Sequence, residues 1–458
     1  MSFLIPITMF GFIPFVLWLY DQMAPRRAAL VAFLSAWMFL PNFTYSFPGM
    51  PDYNKTFAAS LAVLLATFLK DSKRLSDFRF TFGDALMIFW CFTPLFASVT
   101  NGLGLYDGLS SVKNYLTAWF APWLIGRIYF NDGAGVRELL WGVFLGALIY
   151  APMCWIEMVM SPQLHHWVYG YHAHDFLQTV RAIGYRPTVF MQHGLMVGMW
   201  MAGGSLAGLI LWRWDGGVTH VRGIQMKYLV WFVVGTFVAC QSMGALALTI
   251  LAYAAIAHGR RRGRVLPLLI LVMVPVFAVT MKITGSGTGQ GIVNLVARIS
   301  EERAASFEFR VINEVMLVDK ANQRPVFGWG GWGRSRIYDM EGKDISVTDS
   351  YWIIIFGETG IVGLIAFAGI IGVPVVAFLR RYPPRTWNDI AVARAVPLAA
   401  LLAMYFIDST VNDMKSPLYT LIAGALIGLA TATVPVRSEA GALSGGSLLP
   451  RIALPRVL

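Results

Sequence analysis

The chain has 458 residues, of which 57% are hydrophobic and 13% charged, with 31 Phe, 16 Trp and a formal net charge of +11. Ordinary globular domains carry about 45–50% apolar and about 25% charged residues, so a soluble enzyme, a disordered chain and a disulfide scaffold are all excluded. No compact basic domain carries the positive charge, so nucleic acid is not an expected partner. Cys91, Cys154 and Cys240 all fall inside apolar runs and leave no disulfide or zinc framework.

A helical span of a bilayer needs about 20 mostly apolar residues, fewer in polar-lined bundles. In chain order the candidates are Phe3–Tyr20, Ala28–Leu40, Thr56–Leu69, Ala85–Ser98, Tyr115–Phe130, Leu139–Met158 and Phe190–Trp212. They continue with Tyr228–Gln241, Ala245–His258, Val265–Met281, Tyr351–Leu379, Ala395–Phe406 and Leu418–Val434. The expected fold is an all-α, polytopic integral membrane bundle of about 11–13 helices. The first span lacks a basic n-region and a small-residue cleavage site, so it reads as retained.

Alternate short connections, together with the C-terminal tail, hold 22 of the 36 Lys and Arg. The opposite connections hold five: Lys55, Lys113, Arg181, Arg186 and Lys415. By the positive-inside rule the tail is cytoplasmic. The chain divides into a bundle (1–281), a long outer segment (282–350), a second helical region (351–434) and a loose tail (435–458). The long segment is electrically neutral, with nine basic and nine acidic residues. Its length far exceeds the usual connection of about 4–6 residues, which marks it as functional. A shorter outer loop, Ser161–Val189, is dense in His, Tyr and Arg.

The long segment opens on Thr284-Gly-Ser-Gly-Thr-Gly-Gln-Gly291, a flexible hinge rather than a phosphate cradle, since no strand–turn–helix unit surrounds it. Leu295–Lys320 then reads as an amphipathic helix with Phe307, Val311, Val315 and Val318 on one stripe. Arg303 and Arg310 lie about 10 Å apart on nearly one face. They are either members of surface pairs such as Arg310–Glu314 or a clamp for a polyanion, because the arginine fork binds diphosphate bidentately. Next come Gln323-Arg-Pro-Val-Phe-Gly-Trp-Gly-Gly-Trp-Gly333 and Asp349-Ser-Tyr-Trp-Ile-Ile-Ile-Phe-Gly-Glu-Thr-Gly-Ile-Val-Gly363.

An Arg-bearing helix, then Pro-x-Phe-Gly-x-Gly-x-x-Gly, then a span opening on Asp and continuing Glu-x-Gly-x-x-Gly resembles the O-antigen ligase and O-antigen polymerase superfamily of bacterial membrane glycosyltransferases. The resemblance covers about residues 306–379. Arg181-Ala-Ile-Gly-Tyr-Arg-Pro187 leading to Gln192-His193 and Gln241-Ser-Met-Gly244 add weaker matches. The resemblance implies a GT-C-like bundle in the bacterial inner membrane, with the long loop periplasmic. It implies a polyprenyl diphosphate-linked oligosaccharide donor, a glycan or lipid-linked acceptor, and no metal, nucleotide sugar or other cofactor. A chain-length regulator and a flippase are the implied partners. Arg310 matches the family's loop arginine. Met243 replaces an arginine common in the family, so a second diphosphate ligand falls to Arg181, Arg186 or Arg303. Asp349 stands where the ligase branch carries His, which favours a polysaccharide polymerase over a ligase acting on lipid A-core or protein. A transporter or flippase is the reading from another class.

Each remaining role carries an alternative. Asp349 is a general base or the N-cap of the following helix. Glu358, about two and a half turns further, is catalytic or a partner for an interior polar group. Gly357, Gly360 and Gly363 permit close helix packing. His193 is a second candidate base. His165, His166, His172 and His174 lack the companions of a metal site; with Trp167, Tyr169 and Tyr171 they suit a sugar-stacking or interface belt. Trp329, Trp332 and Tyr338 are the candidate sugar-binding residues of the long segment.

Overall fold

The computed structural model describes residues 2–181, 184–214, 219–286, 290–298 and 301–433, without the side chains at 290, 292, 295, 296, 302, 303, 306 and 307. The expected tail lies outside these residues. The chain is built almost entirely of helices. Among the α-helices of eight residues or more, the first seven are α1 (Leu4–Gln22), α2 (Pro25–Phe39), α3 (Lys55–Lys70), α4 (Phe82–Thr100), α5 (Leu105–Tyr115), α6 (Ala121–Tyr129) and α7 (Gly133–Met160). They are followed by α8 (Gly194–Trp214), α9 (Met226–Ala239), α10 (Met243–Arg262), α11 (Leu266–Ile283), α12 (Gln290–Ala297) and α13 (Glu301–Asn322). The last three are α14 (Tyr351–Arg381), α15 (Val396–Asp408) and α16 (Pro417–Thr431).

Eight helices are long and apolar enough to cross a membrane: α1, α4, α7, α8, α10, α11, α14 and Ile390–Asp408, which contains α15. The expected 11–13 spans therefore resolve into eight full-length helices among the described residues, with shorter apolar helices such as α9 and α16 completing the bundle. Only 28% of the apolar window of α11 and 33% of that of α1 is buried, whereas α8 reaches 89%. Apolar faces of that extent need lipid around them, so the chain is a multi-pass membrane protein.

Local signals set the helix ends. Asn54 caps α3 by accepting from the N–H groups of Thr56 and Phe57 at 3.0 Å. A Thr81–Asp84 capping box opens α4. Asp84 also receives Arg127 Nε at 2.9 Å and Trp123 Nε1 at 2.8 Å, so one buried carboxylate fastens α4 to α6. Around it, Arg26 pairs with Asp132 and Lys70 with Asp21, joining the arginine-rich turns on one face of the bundle. Close packing does the rest: a Cβ at Gly126 would lie 2.1 Å from Leu421 O, and one at Gly424 2.2 Å from Trp123 O. Small residues thus let α6 and α16 approach nearly to backbone contact.

Three expectations are corrected. The stretch Tyr115–Phe130 starts ten residues early, because α5 runs into a π-helical turn, Leu116–Phe120, and then α6. The single amphipathic helix Leu295–Lys320 is two helices, α12 and α13. Val315 is exposed, and the buried face of α13 includes Ala304, Asn313, Leu317, Val318 and Ala321. That face is turned toward α14, against which α13 packs.

The third concerns the glycines of α14. Gly360 has φ 65° and ψ −162°, a region that essentially only glycine occupies, and the helix breaks there. The turn segment 325–330 of the long segment fills the break. Ile361 N–H donates to Pro325 O at 2.8 Å and Val362 N–H to Val326 O at 3.2 Å, while Trp329 and Gly330 donate to Gly357 O and Glu358 O at 2.8 and 3.0 Å. The two glycine motifs therefore interlock, and their chief role is to exchange hydrogen bonds between a loop and an interrupted helix. In a membrane these backbone groups need such partners.

Candidate functional site

The loop between α7 and α8 is organised by a residue that no sequence motif marks. Glu157, wholly buried near the end of α7, accepts from the N–H groups of Leu164 at 3.0 Å, Thr188 at 2.8 Å and Val189 at 2.7 Å. These bonds hold Val189 at φ 52°, unusual for a β-branched residue, and turn the chain toward α8. Two buried N–H groups, of Thr188 and Val189, and the half-buried one of Leu164 would lose their acceptor in Glu157→Ala, at about 1–3 kcal/mol for each buried group. The expected result is a melting temperature in detergent lowered by many degrees, with Glu157→Gln intermediate because its amide keeps one acceptor oxygen.

Within this loop Val180 bridges to Tyr185, and Arg186 N–H donates to Thr179 O at 2.8 Å, which brings Arg181 and Arg186 to one end. The stem of Arg186 crosses the start of α8, where a Cβ on Gly194 would meet it at 2.4 Å. Its Nη2 donates to Gln241 O at 3.2 Å, while its Nε is buried with no hydrogen-bond partner among the described residues. Met243 is exposed; Arg186 supplies a cation beside the preceding turn from a different loop.

The histidines sort by environment. His165 is a buried structural group whose Nδ1 lies 2.9 Å from Tyr171 O and whose Nε2 accepts from Asn42 N–H at 3.3 Å. His166 and His172 stack on each other with ring centroids 4.7 Å apart. His174 and His193 meet edge to face at 4.3 Å. His193 Nδ1 accepts the Leu195 N–H at 2.9 Å, which leaves Nε2 to carry the ring proton. Burial, reinforced by His174, Arg186, Arg181 and Arg310, pushes His193 down to about 3. A neutral imidazole with Nδ1 occupied is placed to donate from Nε2 rather than to act as a base.

In the long segment Arg310 does not pair with Glu314 as the helical spacing suggests. Glu314 instead accepts from Lys282 Nζ at 2.8 Å, Ser350 Oγ at 3.0 Å and Trp352 Nε1 at 2.6 Å. Arg310 Nε lies 3.3 Å from Asp349 Oδ2. Among the described residues its terminal nitrogens have no hydrogen-bond partner, and the side chain is 45% exposed. Asp349 is not the helix cap either. Ser350 takes the N-cap position without a side-chain bond, and Tyr351 and Trp352 N–H groups donate to Ser409 O at 3.1 and 3.2 Å. The carboxylate is thereby left to Arg310.

The two loops meet. The charges of Arg181 and Arg310 act on Arg186, which burial together with these neighbours lowers to about 10 despite a small opposing effect of Cys240. All three arginines act on His193. The structure so gathers Arg181, Arg186, His193, Arg310 and Asp349, residues spread over some 170 positions of sequence. The side chain of Arg303 lies outside the described residues. Glu358 does not join this group: its electrostatic neighbours are Lys415, Asp413 and Arg336.

The candidate sugar residues divide. Trp329 is pinned, its Nε1 donating to Lys320 O at 2.8 Å and its ring covered by Lys320 and Arg324 at 3.9 and 4.4 Å, so it is not a free stacking platform. Trp332 is exposed on a left-handed backbone. Tyr338 is exposed and donates to Gly333 O at 3.1 Å. Asp107, also unflagged by sequence, holds this region through both Arg334 terminal nitrogens at 2.7 and 3.2 Å. No family model matches the chain, and no curated protein is significantly similar to it.

Proposed function

We propose that the chain is a bacterial inner-membrane glycosyltransferase that joins polyprenyl diphosphate-linked glycan repeats, a polysaccharide polymerase of the kind its motifs resemble. One observation carries this reading: the charges of three arginines, two from the α7–α8 loop and one from α13, act on one histidine, and one of these arginines pairs with a carboxylate. In the proposal this face is periplasmic, the C-terminus is cytoplasmic and the bundle is of the GT-C type.

The acceptor hydroxyl oxygen attacks the anomeric carbon of the donor. The carbon–oxygen bond to phosphate breaks, and its electron pair leaves on the diphosphate. Charge grows on that group, so fixed cations lower the barrier. Arg310 offers its guanidinium fork, Arg186 and Arg181 add positive charge, and His193 Nε2–H donates to a phosphate oxygen. Asp349, oriented by Arg310 Nε, takes the hydroxyl proton. Trp332 and Tyr338 contact the sugar.

The break in α14 bears on the transporter reading. Broken helices in transporters leave freed backbone groups facing a substrate cavity. Here the loop of the same chain occupies them, which favours a fixed scaffold for chemistry.

Incubating purified protein with polyprenyl diphosphate-linked repeats and resolving products by gel tests the proposal. A ladder is expected. A single transfer to a lipid or protein acceptor identifies a ligase, and unaltered lipid moved across the membrane identifies a flippase. Because His193 is lowered to about 3, it stays neutral as pH falls from 8 to 5. The rate therefore shows no inflection near pH 6.5 from this residue, and His193→Gln lowers the rate without changing the profile's shape in that range.

A further inference from the structure

Beside the arginine cluster lies a cavity of about 330 Å³, within the roughly 300–1,000 Å³ range of small-ligand sites. Its lining includes Gln192 and Ala173, the chain neighbours of His193 and His174, so it adjoins the proposed reaction centre. Two lysines line it, Lys55 and Lys415.

Lys55 is 9% exposed. Among the described residues its ammonium reaches two backbone carbonyls, Phe190 O at 3.3 Å and Trp37 O at 3.4 Å, and sits 4.8 Å from the centre of the Trp37 ring. Among the described residues no carboxylate pairs with it. A buried ammonium without a counter-ion either surrenders its proton or acquires an anion. Its place in the chain adds to the demand, for Lys55 is the first residue of α3, the positive end of the helix dipole.

Two further helix starts open on the same space. Ser416, Pro417 and Thr420 at the start of α16 line it, and the Ser416 side chain makes no capping bond. Gln192 and Met196 bring the start of α8. Lys415 stands next to Ser416, loosely paired with Asp413 at 3.5 Å and lying 4.9 Å over the Tyr351 ring. Asp413 and Glu358 act on Lys415 but neither lines the cavity. The walls are not simply cationic. Trp37 and Trp119 present indole rings, and Asn54 and Gln192 present amides. Aromatic faces with side-chain amides suit a sugar ring and its hydroxyls; lysines and helix N-termini suit an anion.

We propose that the Lys55–Lys415 cavity is a subsite for an acidic sugar residue, one bearing a carboxylate or a phosphate. The inference deepens the reading above, naming the glycan as acidic, and rests on it for the identity of the whole substrate. Binding is separable from transfer, so the two fail separately.

The full-length protein in nanodiscs is titrated with glucuronate, glucose 1-phosphate, glucose and inorganic phosphate, following tryptophan fluorescence. One or both acidic sugars bind, at least about tenfold more tightly than glucose and inorganic phosphate, a difference of about 1.4 kcal/mol. The stronger of the two tells carboxylate from phosphate. Lys55→Met, apolar and of similar length, weakens that binding about tenfold or more, and Lys415→Gln, on the exposed side, weakens it to a lesser degree. The proposal is overturned if glucose or inorganic phosphate binds as well as the acidic sugars, if none of the four binds, or if both lysine variants keep wild-type affinity. A protein that makes no ladder yet binds acidic sugars through Lys55 refutes the polymerase reading and leaves the subsite standing.

Discussion

Arg310→Ala lowers chain extension by about 100- to 1,000-fold, the loss typical when one preorganised donor to a developing anion is removed. The melting temperature stays near that of the wild type, because Arg310 and its partner Asp349 are both partly exposed, at 45% and 35%, and an exposed ion pair contributes about 0–1 kcal/mol. Arg310→Lys restores the charge but not the planar fork, and so recovers only part of the activity. Asp349→Asn also slows the reaction, because it removes the proton acceptor while leaving the fork free. Equal loss of activity and stability in Arg310→Ala would make the residue structural, and full activity would remove it from the reaction.

The second large effect is on the fold. Gly360→Ala places a Cβ 2.3 Å from Val326 O and forces alanine into a glycine-only backbone conformation. Strain of that kind costs about 1–3 kcal/mol. The loop must also withdraw, exposing four backbone hydrogen bonds between residues 325–330 and 357–362, and each buried group left without a partner costs about 1–3 kcal/mol. The expected outcome is a protein that melts far below the wild type, with Arg334 and Arg336 opened to trypsin. Unchanged melting together with unchanged protection of these arginines contradicts the interlock.

Most helices were legible because apolar runs must be long in a membrane and the turns between them are marked by arginine. The break in α14 was not, since Gly357, Gly360 and Gly363 fit close packing as well as they fit a backbone that leaves the helix. Only the loop that fills the gap distinguishes the two, and it lies some 30 residues upstream. Arg310 was legible as a candidate, but its partner was not. Local spacing favours Glu314, yet Ser350, Trp352 and Lys282 claim that carboxylate across the fold. Glu157 lies inside an apolar run with no motif to mark it, and its three backbone partners come from a loop no periodicity describes. Lys55 and Lys415 read as stray charges in short loops because 360 positions separate them; the shared cavity exists only in three dimensions.

The most direct test of the central claim is the affinity of the reconstituted protein for a polyprenyl diphosphate, measured beside the monophosphate and repeated with Arg310→Ala and Arg186→Ala. If the arginine cluster holds the leaving group, the diphosphate binds more tightly than the monophosphate, and each substitution weakens it by about tenfold or more. Equal affinity for the two lipids, or binding untouched by both substitutions, would show that these arginines hold something else.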